Sequence, residues 1–254
     1  MVDGLDIFKE HFAAYADRYV LIGGTASSIA MDELGVEFRV TKDLDIVLIV
    51  EALDREFVEA FWQFVELGQY ENRQKSTGKR LFYRFHSPDD KRFPFMLELF
   101  SRKPDALDLA GGSGLTPIPT GDEVSSLSAI LMDDDYYAFV LDQRRDINGL
   151  SYIGAEALIP LKAKAYVDLS ERKAAGESVN SKDIKKHKND VFRLFGILET
   201  DRTIDTSESI QRDLADAFSR LSEDTVDLKA LNIKGKSQLE VLSELGVFYG
   251  IQQF

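Results

Sequence analysis

The sequence predicts an α+β protein: a mixed sheet with flanking helices, followed by a C-terminal helical domain. Three observations predict it. Over residues 1–154, short apolar runs bounded by Gly, Asp or Pro alternate with amphipathic segments. From residue 155 onward a helical period takes over almost completely. A length of 254 residues at 44% hydrophobic content suits one large or two small domains of about 100–200 residues each. The expected division is therefore 1–154 and 155–254.

Residues 6–19 read as a first helix, with Ile7, Phe8, Phe12 and Tyr15 on one face. Tyr19-Val20-Leu21-Ile22 is a buried strand stopped by Gly23-Gly24, and the small residues 25–31 open a second helix. Residues 43–50 form the next buried strand. Residues 56–67 form an amphipathic helix striped by Phe57, Phe61, Phe64 and Val65. Residues 81–85 and 95–100 are strands joined by a turn at 87–91. Gly111-Gly112-Ser113-Gly114 is a loop that lacks the lysine and helix of a P-loop. Residues 127–132 and 136–141 read as a hairpin around Asp133-Asp134-Asp135, a solvated turn more readily than a metal cluster. Helices are then expected over 155–173, 182–199, 207–221 and 238–249, with a linker at 174–181.

Composition excludes several classes. There is no Cys, so disulfides, thiolate metal sites and a Cys nucleophile are out. With three His in all, a His-rich metal cage is out as well. No apolar run nears the roughly 18 residues of a membrane span. Residues 1–10 carry Asp3, Asp6 and Glu10 rather than a basic-then-apolar signal pattern, so a cytoplasmic location without membrane contact is the expectation. The net charge of −13 repels phosphate backbones, so any nucleic-acid contact needs a local basic patch.

The chemistry concentrates in two motifs. Asp43 and Asp45 lie at i and i+2 of a strand, so both carboxylates face one side. Two neighbouring carboxylates repel, and a divalent cation relieves that. Oxygen ligands on a rigid strand suit Mg²⁺, which takes one or two carboxylates plus phosphate oxygens. Glu98 is the one acid inside the apolar run 95–100; a carboxylate between Leu97 and Leu99 is costly unless paired or turned to a cleft or to solvent. About 20 residues upstream of the acidic pair, Gly23-Gly24-Thr25-Ala26-Ser27 joins a strand to a helix start. Glycines permit close backbone approach and helix-start N–H groups hold phosphate. Thr25 and Ser27 add hydroxyls.

Together Gly23-Gly24-Thr25-Ala26-Ser27, Thr41-Lys42-Asp43-Leu44-Asp45 and Glu98 resemble the nucleotidyltransferase superfamily related to DNA polymerase β. The Thr-Lys-Asp-Leu-Asp form and the helical second half are most similar to its AbiEii-type toxin branch. The resemblance implies a nucleotidyltransferase-like catalytic domain over 1–154 and a helical domain over 155–254 that closes the nucleotide cleft. It implies an NTP held by Gly23, Gly24, Thr25 and Ser27, and Mg²⁺ (or Mn²⁺) bound by Asp43, Asp45 and Glu98. Many relatives have Gly-Ser where this chain has Gly24-Thr25, which keeps a hydroxyl.

The helical half supplies further candidates. Lys162 lies inside the apolar stripe of Leu158, Leu161, Ala165 and Leu169, and an inward lysine needs an anion. Bound triphosphate and an internal salt bridge both satisfy that need. On the next helix the family pattern fits Asp183 and Asp190 equally, so both stand as candidates. Residues 160–195 carry nine Lys or Arg against five Asp or Glu. With Arg80 and Arg84 they suggest a basic wall facing triphosphate or an RNA end.

The leading expectation is a Mg²⁺-dependent transfer of a nucleoside monophosphate from an NTP to an acceptor hydroxyl. By resemblance the protein is a toxin–antitoxin or phage-defence component acting on RNA such as tRNA, with a possible antitoxin partner. A small-molecule, antibiotic-type acceptor, a non-catalytic interaction module on the same fold, and phosphodiester hydrolysis by the same carboxylates stay open.

Overall fold

A computed structural model describes residues 2–72, 83–103, 115–118 and 127–251. Arg80, the start of the strand expected at 81–85 and the loop at 111–114 lie outside them. The chain divides into two compact units, Met1–Ile153 and Gly154–Phe254.

The first unit is built on an eight-stranded mixed sheet. Its strands are β1 (Tyr19–Ile22), β2 (Asp43–Leu48), β3 (Arg84–His86), β4 (Met96–Ser101), β5 (Leu115–Ile118), β6 (Leu127–Leu131), β7 (Arg144–Ile147) and β8 (Leu150–Ile153). The lateral order is β5-β6-β4-β2-β1-β8-β7, with β3 also on β4. β3 pairs with the start of β4 and β6 with its end. β2 runs antiparallel to β1 and parallel to β4. The expectation of an α+β class with a mixed sheet holds.

Burial alternates along β2 and β4. Leu44, Ile46, Leu97 and Leu99 are fully buried, whereas Asp43, Asp45 and Glu98 are only partly covered. An aromatic layer joins the helices of this unit to the sheet. In α1 (Leu5–His11) Phe8 sits 4.5 Å from Phe12, 5.3 Å from Tyr19 and 5.7 Å from Phe64 of α3 (Arg55–Leu67). Asp54 caps α3 by accepting from the Phe57 N–H at 2.9 Å, and Arg18 pairs with Asp54 at 2.7 Å. The helix expected over 6–19 is shorter, ending at His11 and followed by a 3₁₀ turn at Ala13–Tyr15. Between β1 and β2, α2 (Gly23–Asp32) packs on β1, β2 and β8.

The hairpin expected across Asp133–Asp135 is not formed. Residues Asp134–Asp142 are a helix, α4, which Asp133 caps by accepting from the N–H groups of Asp135 and Tyr136. Acidic side chains in a first turn complement the helix dipole, and Tyr136, Tyr137, Phe139 and Val140 bury one helical face. The real hairpin comes next: β7 and β8 turn at Asn148 and Gly149, both at positive φ (51° and 82°). Asn-Gly between apolar residues is a strong short hairpin signal.

The second unit is helical: α5 (Ala155–Ala174), α6 (Ser181–Phe195), α7 (Glu208–Glu223) and α8 (Gln238–Phe248). Leu158, Val191, Leu194, Leu214, Phe218 and Leu242 are fully buried in its core. Asn180, Ser207 and Ser237 cap α6, α7 and α8, the last with Glu240 in a reciprocal capping box. Tyr249 donates to the Glu156 carbonyl at 2.8 Å and ties the chain end to α5. Among the described residues no helix is long and apolar enough to cross a membrane.

Candidate functional site

Pairing brings the acidic residues together at the backbone. Asp45 is the parallel neighbour of Glu98, and Asp43 that of Met96. On the other side of β2, Ile22 is opposite Asp45, so the glycine turn begins beside the acidic pair. Beyond β4, Arg84 is opposite Glu98 and His86 opposite Met96. Paired residues in neighbouring strands point to the same face. One row thus crosses four strands as Ile22, Asp45, Glu98 and Arg84, and the row beside it holds Asp43, Met96 and His86.

Gly23 is required where it stands. Its φ is +67°, and a Cβ there would meet Asp45 Oδ2 at 1.8 Å. The turn therefore lies directly against the Asp45 carboxylate, an approach only glycine allows. A Cβ on Gly24 would meet Thr41 Oγ1 at 2.6 Å and Arg39 Nη2 at 3.6 Å. That places Thr41, which opens the Thr-Lys-Asp-Leu-Asp motif, and Arg39, which sequence reasoning did not single out, at the same turn. Position alone could have suggested Arg39, since it shortly precedes that motif.

Thr25 and Ser27 are fully buried. Thr25 Oγ1 donates to the Asp43 carbonyl at 2.8 Å, and Ser27 Oγ to the Gly23 carbonyl at 2.7 Å. Their protons are committed to the backbone. The Thr25 bond fastens the start of α2 to the start of β2, whereas the Ser27 bond closes the first turn of α2 itself.

Glu98 has a cationic partner. Arg84 Nε donates to Glu98 Oε1 at 2.6 Å, and Arg84 Nη2 donates to the same oxygen. As the side chains stand, no group of three or more His, Asp or Glu among the described residues is gathered tightly enough to hold a metal ion. The donor set itself, three carboxylates on one face of two adjacent strands, is of the hard-oxygen kind that suits Mg²⁺ or Mn²⁺. Asp43, Asp45 and Glu98 are the residues that would hold the ion, and both Arg84 bonds fall on a single Glu98 oxygen, Oε1.

The remaining candidates lie in the second unit. Lys162 is buried, with its Nζ 3.8 Å from Asp190 Oδ2, and Asp190 itself has no exposure. Arg193 donates to the other Asp190 oxygen at 3.0 Å. The inward lysine thus has an anion within its own unit, and Asp190 carries two cations. Asp183 is exposed in the first turn of α6.

No protein-family model matches the chain, and none of the curated proteins does. Among solved structures, it is similar to an antigenic nucleotidyltransferase-like protein from Paracoccidioides brasiliensis. The identity is 14%, the TM-score 0.38, and the likeness covers 93% of this chain and 97% of that one. Overlap that loose transfers neither a fold nor an activity.

Proposed function

We propose that the chain is a divalent-metal-dependent nucleotidyltransferase that moves a nucleoside monophosphate from an NTP to an acceptor hydroxyl. One observation carries the reading: the register that sets Asp45 beside Glu98, with Gly23 folded against the Asp45 carboxylate. The sequence resemblance to the DNA polymerase β-like superfamily supports it.

Each residue has a physical task in this reading. Asp43 and Asp45 hold Mg²⁺ or Mn²⁺ on a rigid strand, with Glu98 as the third carboxylate. When bound, the ion neutralises phosphate charge and acidifies a nearby hydroxyl. Gly23 and Gly24 let the phosphates approach the backbone, and the N–H groups at the start of α2 face that anion. Thr25 and Ser27 keep the turn rigid through their backbone bonds. The carboxylate nearest the acceptor hydroxyl takes its proton on a free oxygen. Positioning and charge neutralisation supply most of the rate.

The resemblance to the AbiEii-type branch favours RNA, tRNA included, as acceptor and a toxin or phage-defence role with an antitoxin partner. Growth arrest on expression that Asp45→Ala abolishes supports that role; unimpaired growth removes it. Mass spectrometry of RNA incubated with protein and NTPs separates an RNA acceptor from a small molecule.

A competing reading is a non-catalytic interaction module, and the Arg84–Glu98 pair favours it, because a carboxylate tied to arginine needs no metal. Calorimetry with each NTP and Mg²⁺ decides. We expect affinity in the native chain and at least about a tenfold loss in Asp43→Ala, which removes one of two principal metal ligands. No affinity for any Mg²⁺–NTP, or equal affinity in Asp43→Ala, overturns the enzyme.

A further inference from the structure

Residues 160–195 carry nine Lys or Arg, and the structure divides them. Lys162 and Arg193 share Asp190. Lys164 pairs with Asp213, Arg172 with Glu177 at 2.8 Å and Lys188 with Asp224 at 2.7 Å. Lys173 donates to Ser181. Three remain, Lys182, Lys185 and Lys186, and none of them has an ion pair among the described residues. They lie on α6 at i, i+3 and i+4, and at 100° per residue they share one face with Asn189 and Arg193. That face is the outward one. Val191, Phe192, Leu194 and Phe195 bury the opposite side, while Lys182 and Lys185 are exposed.

A second group of lysines lies along the same helix. Lys236 holds its Nζ 5.2 Å from the ring of Phe195, and Lys188 donates to Asp224 and to the Thr225 carbonyl. The segment 224–236 is thereby laid against α6, the 3₁₀ turn Lys229–Leu231 included. Buried Ile233 anchors it. Lys229 and Lys234 are exposed, again without an ion pair among the described residues, and residues 228–237 contain no Asp or Glu. A chain of net charge −13 thus gathers five unmatched lysines on one part of its helical unit. Like charges three and four apart on a helix repel, so the cluster weakens α6 rather than supporting it.

We propose that this face of the helical unit binds the phosphate backbone of a nucleic acid. The cations are strung along a line: Lys182 to Arg193 spans about 16 Å at 1.5 Å per residue. They match a chain of charges better than a single anion. The outward face of α6 holds no aromatic ring, so contact is with the backbone and not with stacked bases. The acidic remainder of the chain repels a polyanion and confines it to this face. Where the acceptor is RNA, as the proposed function has it, the lysine face gives that strand a second hold, and this link alone rests on that reading.

The test is fluorescence anisotropy of a labelled single strand of about 20 nucleotides, made as RNA and as DNA, with the full chain in EDTA and without NTP. The native chain should bind, with log K falling linearly in log [salt]. Lys182→Gln/Lys185→Gln/Lys186→Gln should weaken binding at least about tenfold at about 0.1 M salt and make the slope shallower by about 2, at roughly 0.7 per phosphate contact on a single strand. Glutamine matches lysine in helix propensity, so α6 stays folded, which circular dichroism checks. Lys164→Gln/Arg212→Gln/Arg220→Gln removes the same charge elsewhere on the unit and should stay within about threefold of native, with its slope unchanged.

No binding of either strand by the native chain at about 50 mM salt overturns the proposal. Equal losses in the two triple variants overturn it as well, since that is an effect of net charge. Labelled polyglutamate bound as tightly as the RNA gives the face to an acidic protein instead, and a dimer in light scattering that the α6 variant dissociates gives it to a second copy; both overturn it. Neither metal nor nucleotide is present, so losing this site leaves the metal site standing, and failure of the Asp43→Ala calorimetry leaves this site standing.

Discussion

Replacing Gly23 by alanine should damage the candidate site more than the fold, and the chain contains its own control. Gly23 and Gly35 share the same φ of +67°, but a Cβ on Gly35 would meet nothing within 4 Å. Gly35→Ala therefore carries only the left-handed backbone cost, about 1–2 kcal/mol. Gly23→Ala carries that cost and a collision as well. The new methyl lies 1.8 Å from Asp45 Oδ2 and 2.8 Å from Asp45 Cγ. Turning Asp45 off its rotamer costs about 0.5–1.5 kcal/mol. Its Cβ, 3.1 Å away, also asks β2 to yield slightly. The excess of Gly23→Ala over Gly35→Ala should then be about 1–2 kcal/mol, the rotamer cost plus a small backbone shift. Trp62 is the single tryptophan and lies in α3 of the first unit. Its fluorescence in a urea titration reports that unit alone, which matters where two units need not unfold together. Mn²⁺ affinity, measured alongside, should fall at least about tenfold in Gly23→Ala, as expected when a ligand is displaced, and not in Gly35→Ala. Equal midpoints for the two variants, or full Mn²⁺ affinity in Gly23→Ala, would refute the reasoning.

Further outcomes follow from buried groups. Asp190→Ala leaves Lys162 buried without its 3.8 Å partner and should destabilise the helical unit by about 3 kcal/mol. Lys162→Met keeps Asp190 paired with Arg193 and should cost much less; the reverse order in thermal melts followed by circular dichroism would contradict the assignment. Burial, then the Glu33 carboxylate, pushes the Tyr152 phenol up to about 12. Burial, then Asp224, does the same to Tyr166, also to about 12. Burial raises Tyr19, Tyr70, Tyr137 and Tyr249 further. A phenol raised in the folded state contributes stability that is complete below the unfolded value near 10 and is lost as pH climbs through the folded value. Tyrosinate absorbance from these six should therefore stay small at pH 11 while the chain is folded and rise together on alkaline unfolding. Their smooth titration near pH 10 in folded protein would contradict it.

The elements that were legible in the sequence are those whose signal is local. The glycine stop after β1, the stripe of α3 and the four long helices of the second unit each follow from residues within one turn or one strand. The segment at 133–142 was misread because three consecutive Asp resemble a turn, whereas Asp133 is a helix cap and its neighbours complete the first turn. Lys162 was legible as an inward charge. Its partner was not, because Asp190 lies 28 positions later and only packing of α5 on α6 brings it near. Arg84 was legible as basic, but its engagement with Glu98 depends on the turn length between β3 and β4.

The same distinction explains why the acidic face stands even though no local signal specifies it. Nothing near Glu98 says that it will be level with Asp45. What says so is the opposite face of the sheet. Leu44 and Ile46 on β2 and Leu97 and Leu99 on β4 are all buried to 1% exposure or less, and they are paired Leu44 with Leu97 and Ile46 with Leu99. Sliding β4 by one residue would turn its leucines to the half-open face and put Glu98 into the core. Burying that carboxylate unpaired would cost several kcal/mol, and two leucines would lose about 1.5–3 kcal/mol each. A slip by two keeps the faces but loses two of the five paired positions, 43–47 with 96–100. The apolar face therefore sets the register, and the register sets Asp45 beside Glu98. The residues that make the candidate site possible are thus four aliphatic side chains that never touch a ligand, and replacing Leu97 by a polar residue should scatter the acidic row as surely as removing one of its members.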